Sequence, residues 1–130
     1  MDHVDDMIAA TNKVGQGLEQ AEKEAARAEA ALSGTIAACF DKLEATIAKL
    51  GSDGCCVGSS LAVADLMVAA GCPFLCANFF DGVPADTIER CPHIQAVRKK
   101  VMGLPEVQAH YAARPELNAF RDLRDLHHGH

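Results

Sequence analysis

The side chains most able to do chemistry in this 130-residue chain are its six cysteines and six histidines. Thiolates hold soft metals and attack electrophiles, and imidazoles ligate metals or move protons. Zinc takes four N or S ligands, commonly with cysteine pairs spaced C-x2-C. Cys39, Cys55, Cys56, Cys72, Cys76 and Cys91 contain no such pair. Cys72 and Cys76 share one face of any helix that carries both, and a disulfide between adjacent Cys55 and Cys56 is strained. The first residues, Met1 to Asp6, have neither the basic nor the apolar region of a secretory signal, so the thiols are expected to be reduced and buried. His127, His128 and His130 fall in the last residues and read as a mobile tail. His93 and His110 read as solvated. The sequence shows no Ser-His-Asp order, phosphate loop, paired acids or nucleophile beside a base, so no catalytic residue and no metal is expected.

One carboxylate stands apart. Asp65 is the only charge between Asp53 and Asp81, in the segment Gly58-Ser59-Ser60-Leu61-Ala62-Val63-Ala64-Asp65-Leu66. A helix starting here would place Asp65 in its first turn, where backbone N–H groups lack partners and the dipole favours negative charge. The sequence thus reads as a buried central helix over 61–79 with a built-in start signal and a kink near Gly71 caused by Pro73.

The elements that must position these residues are helical. Val4, Met7, Thr11, Val14, Leu18, Ala21, Ala25, Ala28 and Leu32 recur at steps of three and four, predicting one long helix over 3–32 that Gly15 and Gly17 weaken. Ser33 or Thr35 is placed to cap the next helix, whose stripe is Ile36, Cys39, Phe40, Leu43, Ile47 and Leu50, with Gly51 as its C-cap. Two long antiparallel helices result. Three short units follow over 84–90, 92–102 and 105–113, each opening on Pro and stopping before Gly or Pro. No stretch alternates with period two. The expected class is all-α, as one domain over 1–130 with residues 115–130 as a loosely docked tail.

Composition bounds the partners. The formal net charge of -6 supplies no basic footprint for nucleic acid or acidic lipid. The uncharged run from Leu66 to Ala77 is too short to span a bilayer, so the chain reads as soluble and cytoplasmic.

The order of these phrases carries a resemblance. Gly58 to Leu66, then Pro84-Ala85-Asp86, Cys91-Pro92-His93-Ile94, Gly103-Leu104-Pro105-Glu106-Val107 and Tyr111-Ala112-Ala113-Arg114 look like the C-terminal helical domain of cytosolic glutathione transferases, in its sigma-like form. The resemblance covers about 3–114 and implies that family's helical bundle. It implies a capping box and hydrophobic staple at the central helix, with Asp65 as the acid and Leu61 as the staple. Ala62 replaces the hydroxyl residue of the box. It further implies a wall of the hydrophobic electrophile site built from Asn12, Val14, Gly15, Gln16 and Leu18, together with homodimer contacts. The acid that sigma-like members lend across the dimer falls near Lys13 or Val14, neither of which is acidic. Glutathione would be co-substrate of a larger protein whose thioredoxin-like domain activates its thiol; this chain contains no such segment and no cofactor site of its own. The alternative is a non-catalytic protein-interaction module of the kind found in translation elongation factors and tRNA synthetase complexes.

Overall fold

The computed structural model describes residues 2–76, 82–84 and 86–117. Seven helices follow in order: α1 (Asp2–Lys13), α2 (Gln20–Ser33), α3 (Thr35–Leu50), α4 (Val63–Cys76), α5 (Asp86–Glu89), α6 (Pro92–Met102) and α7 (Pro105–Ala112), closed by a 3-10 turn at Pro115–Leu117. The described residues contain no β-strand, and a single bridge joins Gly51 to Gly58. The fold is the expected all-α bundle.

The predicted first helix is two helices. Gly15 and Gly17 adopt φ of 75° and 81°, in the left-handed region that glycine enters without penalty. The chain turns there, with Gln16 N–H donating to the Lys13 carbonyl and Leu18 N–H to the Gly15 carbonyl. The break also rotates the apolar stripe. Val4, Met7 and Thr11 are buried on α1, but Leu18, Ala21, Ala25 and Leu32 face solvent. On α2 the buried positions are Arg27, Ala30 and Ala31 instead. A continuous period of 3.6 assumes an unbroken helix, and one left-handed turn resets its phase.

The other bounds shift less. Neither Ser33 nor Thr35 caps α3; Gly34 is the junction, and no side chain bonds there. The end of α2 is closed from a distance, because the Arg90 guanidinium donates to the Ala31 carbonyl at 2.5 Å and the Leu32 carbonyl at 3.2 Å. α4 begins at Val63 and its backbone stays helical through position 73 to Cys76. The expected continuation over 77–79 lies outside the described residues, as do the tail residues 118–130, with His127, His128 and His130 among them.

The core lies where α3 and α6 meet the other helices. α3 packs against α1, α2 and α6, and α4 packs most extensively against α6. Met7, Ile36, Phe40, Leu75, Ile88, Ile94 and Val97 are fully buried there. Complete burial of such side chains contributes about 1.5–3 kcal/mol each, which makes this cluster the main source of stability.

Candidate functional site

The residues assigned to the electrophile wall sit at the end of α1 and on the turn after it. Asn12 is exposed on the last turn of α1, and Val14 is partly buried against the core cluster. Gly15, Gln16 and Leu18 follow on the turn that the two left-handed glycines create, with Leu18 45% exposed. The five are brought together along one short stretch of surface. They offer an apolar contact at Leu18, a side-chain amide at Asn12 and another at Gln16, and no ionisable group.

A separate groove of about 200 Å³ opens between α1, α3, α4 and the loop before α4. Val4, Leu43, Ile47 and Val68 are among its buried lining residues, and Leu50, Val57, Ala64 and Met67 complete its apolar wall. None of the five wall residues borders it. Sequence reading missed this groove, because its lining comes from four separated stretches of chain. The one available signal was Leu50, an apolar residue at the end of its stripe with no helix beyond it to cover it.

At the start of α4 the Asp65 carboxylate is 1% exposed. Its Oδ2 accepts the Ala62 N–H at 2.7 Å, and its Oδ1 accepts the Cys56 N–H at 2.6 Å. The first bond closes the helix start. The second ties the preceding loop to the helix, a bond nine residues apart that local pattern gives no sign of. That loop is closed on itself as well, since Gly58 N–H donates to the Leu50 carbonyl and Ser52 N–H to the Gly58 carbonyl, each at 2.8 Å. Gly51 is required there: a Cβ would collide with the Cys55 and Cys56 carbonyl oxygens. Leu61, on the other side of the box, is 38% exposed.

A second carboxylate does similar work between helices. Glu44 on α3 caps α6: its Oε1 accepts the His93 N–H at 2.6 Å and its Oε2 accepts the Ile94 N–H at 2.9 Å. The His93 ring Nδ1 lies 2.7 Å from the same Oε1, so His93, read from sequence as solvated, is tied to α3. His110 stands edge-on to Tyr111, with ring centroids 5.6 Å apart.

The thiols are held in their neutral form. Burial pushes Cys72 up to about 12, with Cys91 and Cys56 nearby adding to the shift. Burial first, then a hydrogen bond to Asp65, pushes Cys56 up to about 12. Burial and the negative Glu44 and Asp41 push Cys91 up to about 11, against Arg90. Cys39 is raised by burial and by Asp6, with Lys42 opposing. A thiol is a nucleophile and a metal ligand only as thiolate, so these groups behave as packing residues near neutral pH. Among the described residues no group of three or more His, Cys, Asp or Glu side chains is placed to hold a metal ion.

Comparison with known proteins fixes the family. A family model described as glutathione S-transferase, C-terminal domain, matches residues 6–114. The chain belongs to that family. The glutathione S-transferase C-terminal domain is helical, as the described residues are. No curated protein and no solved structure matched the chain. Among the described residues no helix is long and apolar enough to cross a membrane.

Proposed function

We propose that this chain forms the electrophile-side half of a sigma-like glutathione transferase in the cytoplasm. In that reading its α1 end and glycine turn wall the site for a hydrophobic electrophile, and other surfaces supply homodimer contacts. Glutathione is bound and its thiol ionised by a separate thioredoxin-like domain of the full protein. The thiolate sulfur then forms a bond to the electrophilic carbon, and the leaving group departs with the electron pair. The chain's own part is to orient the apolar electrophile and keep water from it. The observation that carries this reading is the family match over 6–114, which spans both the α1 end and the α4 start. The neutral, mixed apolar and amide surface of Asn12, Val14, Gln16 and Leu18 suits an uncharged electrophile.

The reading is tested by supplying glutathione and 1-chloro-2,4-dinitrobenzene to the chain alone. The conjugation rate equals the spontaneous rate, because no residue here activates the thiol. Turnover above that background refutes the division of labour. A second reading, the non-catalytic interaction module, is favoured by the fact that the five wall residues border no part of the described apolar groove.

A further inference from the structure

α4 has an unusual surface. Its one charged residue, Asp65, is buried, so its solvent face carries no charge. Val63 is 66% exposed and Leu66 49% exposed, with Met67 beside them and exposed Ala70 one turn on. These positions follow the i, i+3, i+4, i+7 spacing of a single face. A solvated helix normally carries polar side chains on that face. The surface continues past the helix. Met67 and Ala64 line the groove together with Leu50 and Val57, which are 50% and 61% exposed. Leu61, just before α4, adds to it. Five of the seven exposed large hydrophobic residues found in the described chain therefore fall within residues 50–66.

The area decides what this surface fits. Weighted by their exposures, the five side chains present roughly 450 Å² of largely apolar surface, within the range where a patch marks an interaction site. A standard stable interface buries about 800 Å² per partner, of which roughly 56–65% is apolar, or about 450–520 Å². The patch alone thus supplies the apolar share of one such interface. It holds no charge with which to select a foreign partner. An uncharged face can meet its own copy about a two-fold axis without setting like charges against each other.

We propose that this face is a self-association surface: two copies of the chain pair through α4 about a two-fold axis near Leu66, each covering the groove edge formed by Leu50 and Val57 of the other. This goes beyond any transferase role and needs no glutathione-binding domain. The net charge of -6 on each copy opposes pairing at long range, so added salt tightens the dimer.

Sedimentation velocity on the 130-residue chain, over roughly 10–500 µM, tests this across the weaker affinities such an area supports. Twice the chain mass is expected at the upper end. Leu66→Glu and Leu66→Lys each weaken pairing at least about tenfold, since each buries an unpaired charge. An equimolar mixture of the two restores it. Unchanged far-UV circular dichroism verifies folding; Val57→Glu, in the loop outside the helices, repeats the test if the helix variants unfold. A monomer throughout the range overturns the proposal. So does a dimer that Leu66→Glu leaves intact, a mixture that stays monomeric, or salt that weakens the pair.

Discussion

Replacing Asp65 separates a surface acid from a structural one. Its carboxylate is almost fully enclosed and satisfies two backbone donors, at Cys56 and Ala62. Asp65→Ala removes both acceptors and leaves the buried Cys56 N–H without a partner. An orphaned buried donor costs about 1–3 kcal/mol, and loss of a helix cap costs about 0.5–2 kcal/mol. Partial access of water to Ala62 softens the second term, so the expected loss is about 3 kcal/mol. For a chain of this length each 1 kcal/mol moves Tm by roughly 3–5 °C, which predicts a fall of about 10 °C. Asp65→Asn retains one acceptor but turns an amide N–H₂ toward the other donor, so it falls between, at about 2 kcal/mol. Asp86→Asn, an exposed acid on α5, makes the same charge change as a control and moves Tm little. Thermal unfolding followed at 222 nm and urea titration read the difference. An Asp65→Ala midpoint within about 2 °C of the parent would refute the argument that this carboxylate anchors the loop to α4.

Other consequences follow from the same contacts. Ala62→Ser restores the missing hydroxyl of the box, which reaches the Asp65 N–H; urea unfolding should show a gain of about 1 kcal/mol. Glu44→Ala strips the N-terminus of α6 of its acceptor and should cost about 2 kcal/mol in the same assay, since two backbone donors and the His93 ring lose their partner. The buried thiols make stability fall at high pH. Their folded values, about 11 to 12, lie above the ordinary value of 9.0, so the native state binds more protons. Their contribution is complete below pH 9 and is lost as pH rises through 11 to 12, with a slope of up to about 1.4 kcal/mol per pH unit for each thiol. Urea unfolding at pH 8, 9 and 10 measures it; a flat profile would contradict the burial. At pH 8, Ellman's reagent should label Cys72 and Cys91 only at the rate of unfolding, and fast labelling of the native chain would do the same.

Much of the architecture was legible because it rests on local rules. The helix stops at Gly51 and Gly103 and the Pro starts at Pro92 and Pro105 were readable because each depends on one residue's backbone limits. The stripe Ile36, Phe40, Leu43 and Ile47 was readable because α3 is unbroken. The register of α2 was not, because the two left-handed glycines ahead of it reset the phase and turned Leu32 outward. The role of Glu44 was hidden for another reason. Its partners lie 49 and 50 residues away, and a half-exposed acid on a helix looks like any solvated charge until α6 is placed against it. Arg90 was hidden in the same way, since it closes the end of α2 across 58 and 59 residues. Of the candidate site, the stretch from Asn12 to Leu18 is contiguous and so could be named, whereas the groove exists only once four segments are packed together.

The central claim is that the end of α1 and its glycine turn receive a neutral apolar electrophile. Amide chemical shifts of the ¹⁵N-labelled chain, titrated with 1-chloro-2,4-dinitrobenzene in the absence of glutathione, address it residue by residue. The account predicts saturable shifts concentrated on Asn12, Val14, Gly15, Gln16 and Leu18. Shifts concentrated on Val57, Ala64 and Met67 around the groove, or no saturable shifts at all, would contradict it.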